Sequence, residues 1–239
     1  FTYYIIIKFI NVTKKFKIFK MHNSLNNLIN IENQLKDFNL DNKKNKYEII
    51  AVSKTHPIKD ILPLINHGHI NFGENKIQEA IEKWSDIKND FPRLKLHMLG
   101  KVQTNKVKFL IPLFDYIHSL DNLKLAHKIS QEQIKKNKKI KIFIQVNIGR
   151  EEQKNGVDIE NLENFYKECS LNLGLDIIGL MCLPPKSVTP SKFFFEMKKL
   201  SSQLNIADLS MGMSDDFVEA AQHGATYLRI GSKIFGDRA

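Results

Sequence analysis

From Leu25 onward the chain spaces its apolar residues in two alternating ways. Leu25, Leu28, Ile29, Ile31, Leu35 and Phe38 recur at near-helical intervals, which predicts an amphipathic helix over 23–38. Asp41 to Lys46 is a polar linker. Beyond it, short apolar runs stand at 48–53, 69–72, 95–99, 115–118, 140–147, 175–181, 207–210 and 226–230. Helical patterns fill the intervals, over 57–67, 75–90, 103–110, 121–137, 158–171, 190–204 and 214–223. The runs are continuous rather than alternating, as expected of strands covered on both faces in a parallel sheet. Eight such strands separated by seven helices, with the 23–38 helix ahead, predict an α/β fold of the (β/α)8 TIM-barrel type. Punctuation agrees with this count: Pro57 fits a first helical turn, Gly68 a helix stop, and Asp121 and Asp158 are expected N-caps. No Gly/Ser-rich linker interrupts the series, so a single domain is expected over 21–239.

Composition narrows the picture. The chain has 239 residues, 42% of them hydrophobic, enough for one sizeable core and close to the roughly 250 residues of a barrel of this type. Cys169 and Cys182 have neither disulfide-framework nor metal-ligand spacing and read as free thiols of a reducing compartment, hence a cytoplasmic protein. The formal charge is +10, yet residues 1–20 alone hold five lysines and no acid. From Met21 onward the balance is 31 basic to 26 acidic residues, much of it in lysine patches such as Lys43, Lys44, Lys46 and Lys135, Lys136, Lys138, Lys139. Such runs without interleaved aromatics are solvated surface, so neither nucleic acid nor membrane is expected as a partner. Residues 1–20 are expected to lie outside the fold, as a presequence or as an upstream extension ahead of a start at Met21.

In a barrel, function is read from the C-terminal tips of the strands. The first tip delivers Lys54, in AVSKTHP. Beside an apolar wall that disfavours its charged form it is a candidate Schiff-base nucleophile; a lysine snorkelling into solvent is the alternative. The second tip, NFGEN, brings Gly73, Glu74 and Asn75 to the mouth; later tips bring His97, His118, Ser119, Gln145, Asn147, Met181 and Cys182. After strand seven comes SMGMSDDF, where Ser214 is expected to cap the following helix. After strand eight comes RIGSKIFG, with Arg229, Gly231 and Ser232. Turns of this kind present backbone N–H groups to phosphate. A lysine, a phosphate cradle and an arginine together fit pyridoxal 5′-phosphate (PLP), with Arg229 donating to the pyridine nitrogen. A guanidinium has no proton acceptor and opposes protonation of that ring, which blunts carbanion chemistry.

The blocks AVSKTHP, NFGENKIQEA, HMLGKVQTNKVK, IHSLDNLKLA, IFIQVNIGREEQKNG, IIGLMCLPP and LSMGMSDDFVEAAQHGATYLRIGSKIFGDR run in order from about residue 48 to 238. In them the chain resembles the pyridoxal-phosphate homeostasis protein family, of the YggS/PROSC type. The resemblance implies a barrel like the N-terminal domain of alanine racemase, with PLP on Lys54. It places Ser214, Gly231 and Ser232 at the phosphate, Arg229 at the ring nitrogen, and Asn75, His97, Ser119 and Met181 around the cofactor. It further implies a monomeric carrier that buffers and delivers PLP to PLP-dependent apoenzymes. Val102 and Thr104 depart from the family's GxLQSNK block. Racemases add a β domain and a partner's tyrosine, and neither is expected in a chain running to Ala239.

Two other readings share these residues. A PLP-dependent amino-acid racemase would use Lys54 as one base and His97 or Cys182 as another. A phosphosugar barrel would turn the lysine on a carbonyl substrate. Elsewhere structural roles are expected: turn capping for His67 and His69, core and rim packing for Phe193, Phe194 and Phe195. Lys106 and Lys108 are either a solvated face or the seat of a second anion.

Overall fold

The computed structural model describes residues 22–38, 47–151, 155–185 and 189–236. The 1–20 segment and the 41–46 linker therefore lie outside the described residues. Eight parallel strands close into a barrel in sequence order: β1 (Glu48–Val52), β2 (Asn71–Glu74), β3 (Lys95–Met98), β4 (Tyr116–Leu120), β5 (Lys141–Val146), β6 (Asp176–Cys182), β7 (Asp208–Ser210) and β8 (Tyr227–Ile230). Helix α1 (Asn23–Asp37) precedes them. Between them run α2 (Ile58–Asn66), α3 (Ile77–Asp90), α4 (Val107–Leu113), α5 (Leu123–Lys136), α6 (Leu162–Lys167), α7 (Ser191–Gln203) and α8 (Phe217–Gln222). A final short turn, α9 (Ser232–Phe235), follows β8.

Strand alternation sorts the apolar residues into two cores. Ile49 and Ala51 of β1 face the helices and join a layer that includes Phe72, Trp84, Leu96, Ile117, Ile144, Leu180 and Leu228. Ile50 and Val52 point inward, where they meet Tyr116, Phe143, Met181 and Tyr227. The interior is thus part apolar and part polar, because Asn71, His97, His118, Gln145, Ser210 and Arg229 are buried as well. The seam of the barrel is tied by α1. Ser24 Oγ donates to the Asp60 carbonyl of α2 at 2.8 Å, and Asn27 Nδ2 to the Ile234 carbonyl of α9 at 2.9 Å.

Two of the expected caps differ. Asn122, not Asp121, caps α5, its side chain accepting from Leu125 N–H at 2.9 Å; Asp121 instead accepts from Asn122 Nδ2 at 2.6 Å. Ser214 does not cap α8, which begins three residues later and follows Asp216. Gly68 does end α2, at φ +98°.

Candidate functional site

The site is built where the barrel closes. β1 pairs with β8 through Ala51↔Ile230, so the turns that follow them lie side by side at one end of the barrel. Lys54 is half-buried in the first of these turns, two residues beyond the inward-facing Val52. Gly231 opens the second, with Val52 beside it: a Cβ added at Gly231 would stand 3.4 Å from the Val52 carbonyl oxygen. The rings of His56 and Phe235 stack across the two turns at 4.9 Å between centroids.

The turn at Lys54 is braced from below by a buried carboxylate. Glu74, expected at the mouth, points the other way, toward α3, because it alternates with the inward-facing Gly73. Its Oε1 accepts from Ser53 Oγ at 2.8 Å, Lys83 Nζ at 3.0 Å and Trp84 Nε1 at 3.0 Å. Lys83 also donates to the Ser53 carbonyl at 2.8 Å and to Glu79 at 3.0 Å. Glu79 in turn accepts from the N–H of Thr55 at 2.5 Å, a residue held at φ +67°. Although part-burial works the other way, the Thr55 N–H and the Lys83 ammonium hold the Glu79 carboxyl below its ordinary range. Both neighbours of Lys54 are thereby fixed, Ser53 through its hydroxyl and carbonyl and Thr55 through its amide.

On β8, beside β1, Arg229 is 5% exposed inside the barrel. Its Nη1 donates to Ser210 Oγ at 2.7 Å and its Nη2 to the Cys182 carbonyl at 2.8 Å. Burial lowers its pKa, a sign of how much water it has lost. Ser214 joins the last turn: its Oγ accepts from the N–H of Lys233 at 3.3 Å. Ser214, Gly231 and Ser232 therefore surround one turn. Gly212 makes that approach possible. It sits at φ +85°, and a Cβ there would stand 2.5 Å from Ala220 Cβ; its carbonyl accepts from Arg229 N–H at 2.9 Å.

The remaining expected residues fall into two groups. Asn75 and Ser119 lie at the rim, joined through Gly100. The Ser119 hydroxyl donates to the Gly100 carbonyl at 2.7 Å, and a Cβ on Gly100 would fall 2.2 Å from the Asn75 carbonyl oxygen. Met181 is part of the interior apolar cluster. His97 is fully buried and stacks on Tyr116 at 4.2 Å. Both its ring nitrogens are engaged, Nδ1 with His118 Nε2 at 3.0 Å and Nε2 with Asn71 Oδ1 at 3.1 Å. Asn71 and Ser210 are the interior polar residues that sequence reading did not single out; each is a lone small polar residue in an apolar run. Cys182 is fully buried and burial pushes its thiol up to about 12. Lys101 donates to Asn155 Oδ1 at 2.6 Å. Lys108 stands over the Phe109 ring and lines an outer cleft with residues of α3 and α5, away from Lys54. Of the three phenylalanines of α7, Phe193 and Phe194 are buried and Phe195 is exposed. Among the described residues no cluster of His, Cys, Asp or Glu is arranged to hold a metal.

The chain is similar to several known proteins. The family model for the alanine racemase N-terminal domain matches residues 27–239. The pyridoxal phosphate homeostasis protein of Aquifex aeolicus is 38% identical over 205 residues, covering 82% of this chain and 89% of its own. The structure of PipY from Synechococcus elongatus with PLP bound superposes with a TM-score of 0.79 at 31% identity, covering 89% of this chain and all of that one. Alanine racemase of Clostridium difficile shares the fold, with a TM-score of 0.71 at 16% identity over 90% of this chain and 56% of its own.

Proposed function

The chain belongs to the pyridoxal phosphate homeostasis protein family, built on the alanine racemase N-terminal domain, and on that premise we propose that it holds PLP on Lys54 and buffers or delivers it. The observation that carries this reading is the pairing of β1 with β8, which sets the Lys54 turn beside the Gly231–Lys233 turn with Arg229 at the same end. The residues fit the cofactor. Lys54 Nζ supplies the amine, and Ser214 Oγ with the N–H groups of Gly231, Ser232 and Lys233 supplies donors for a phosphate. Arg229, held by Ser210 and the Cys182 carbonyl, supplies a donor for the ring nitrogen and has no proton acceptor to offer it. Asn75, Ser119 and Met181 line the approach. When bound, the aldehyde of PLP gives a link to the amine that is covalent yet exchangeable, which suits storage and hand-over.

A carrier rather than a racemase is the reading we favour, because both candidates for a second base are silenced. Burial, with the nearby charges of Lys95, His69 and Lys88 adding to it, holds His97 well below its ordinary pKa, and its nitrogens are both engaged. Cys182 is a buried thiol rather than a thiolate. PLP-dependent apoenzymes are the recipients we propose, with the carrier a monomer in the cytoplasm, the setting that suits two free, buried thiols.

The test is borohydride reduction of the PLP-loaded protein followed by digestion and mass spectrometry. The adduct is expected on the peptide carrying Lys54; an adduct elsewhere, or none, overturns the proposal. Deuterium uptake at Cα of L- and D-alanine separates the carrier from an enzyme, since turnover at ordinary enzyme rates of about 1 s⁻¹ or more would remove the carrier reading.

A further inference from the structure

A single chain of hydrogen bonds crosses the barrel from its mouth to its floor. Arg229 Nη1 is 2.7 Å from Ser210 Oγ, which is 2.8 Å from His118 Nδ1. His118 Nε2 is 3.0 Å from His97 Nδ1, and His97 Nε2 is 3.1 Å from Asn71 Oδ1. Asn71 Nδ2 then reaches Glu48 Oε2 at 2.8 Å. The chain takes one residue from each of β8, β7, β4, β3, β2 and β1, and all but Glu48, which is exposed at the start of β1, are buried.

Its direction follows from its ends. A guanidinium only donates and a carboxylate only accepts. Arg229 donating to Ser210 leaves the one hydroxyl proton of Ser210 available to His118 Nδ1, which takes it when that nitrogen is bare. His118 then carries its proton on Nε2 and gives it to His97 Nδ1, which is bare in turn. From the other end, Glu48 takes the amide N–H of Asn71, leaving Asn71 Oδ1 to accept from His97 Nε2–H. The carboxylate end thus fixes the tautomer of both neutral rings, and the arginine end is compatible with it. Burial supports neutrality, holding both histidines well below the ordinary imidazole range; His97 and Arg229 add to the effect at His118.

We propose that His118 and His97, each fixed as the neutral Nε2–H tautomer, are positioning residues that make Ser210 an acceptor for Arg229 and so aim the guanidinium at the cofactor ring. This rests on the PLP reading in one respect, that Arg229 is the ring's donor. It moves His97 from the cofactor's surroundings into the support beneath Arg229. Without the imidazole acceptor, the Ser210 hydroxyl is free to rotate, and the oxygen that anchors Nη1 is no longer held in place.

The experiment has two arms. In the cofactor-free protein, long-range ¹H–¹⁵N spectra of ¹⁵N-histidine at neutral pH are expected to show both rings protonated at Nε2 alone. An Nδ1–H tautomer or an imidazolium at either position overturns the proposal, whether or not the protein binds PLP. In the loaded protein, Ser210→Ala, which deletes one oxygen, and His118→Leu are expected to raise the PLP dissociation constant about tenfold and to shift the absorption band of the bound cofactor, the loss of one hydrogen bond to a charged group. His118→Gln, whose amide accepts and donates as the ring does, is expected to restore both. Folded Ser210→Ala with parental affinity and spectrum overturns the proposal, as does a His118→Gln no better than His118→Leu. If the parent protein takes up no PLP, the functional reading fails and the tautomer spectra alone decide this one.

Discussion

Lys54 is held on both sides: Ser53 and Thr55 are each bonded into the Glu74–Lys83–Glu79 cluster. Lys54→Ala is therefore expected to leave the fold intact and to abolish both the yellow colour of the loaded protein and its borohydride adduct, read by absorbance and mass spectrometry. A variant that stays yellow would move the link to Lys101 or Lys106. The thiols make a second residue-scale prediction. Cys169 and Cys182 are buried with thiols pushed up to about 12, so a thiol-reactive chromogenic disulfide should label neither in the native protein and both after denaturation. At this scale the sequence shows a residue's chemistry but not its direction. Lys54 and Arg229 could be placed near strand ends because turn residues follow each, whereas Ser214, read as a cap, precedes its helix by three residues. Glu74 was misplaced by one strand position, which is enough to move it from the mouth to the helical layer. The Arg229-to-Glu48 chain was invisible because Asn71, His97, His118 and Ser210 come from four separate strands, and each alone reads as a polar interruption.

Among the elements, α3 has a role beyond packing, since Lys83 and Trp84 both reach the Glu74 carboxylate. Removing one partner of a buried ion pair strands the other, and Lys83→Met is expected to cost about 3–5 kcal/mol in urea unfolding. Glu74→Gln in the same background should recover part of that loss by discharging the stranded carboxylate. The turn between β7 and α8 gives a sharper comparison. Gly212→Ala meets both a left-handed φ and Ala220 Cβ at 2.5 Å, whereas Gly174, at φ +61°, has nothing within 4 Å of an added Cβ. Gly212→Ala is expected to cost clearly more stability than Gly174→Ala, by about 1–3 kcal/mol, and to weaken PLP binding, while Gly174→Ala leaves binding alone. Element order and type were readable because each strand is an unbroken apolar run bounded by turn residues. Caps were less so: Asp121 and Asn122 are both good capping residues in sequence, and only the backbone decides between them.

For the molecule as a whole, two buried imidazoles and one half-buried one set the acid limit. Burial pulls His69 down to about 4, despite a hydrogen bond to the Asn71 carbonyl that works the other way, and holds His97 and His118 well below 6.5. Below pH 6.5 the unfolded chain takes up protons that the folded chain refuses, so stability is intact above that pH and falls as pH drops toward the folded values. Each such histidine contributes up to about 1.4 kcal/mol per pH unit. Urea midpoints measured from pH 7.5 to 5 should show this decline, and His118→Gln should make it shallower; an unchanged slope would mean that the native barrel accepts the proton. The closure of the barrel has a last consequence, for synthesis. On the proposed reading the amine comes from the turn after the first β-strand and most of the anion cradle from the residues after the eighth, so a nascent chain halted before β8 would carry the lysine without the full cradle to dock a vitamer against it. Loading is then expected to wait until translation has delivered the final strand, so that uptake of colour would report a completed barrel.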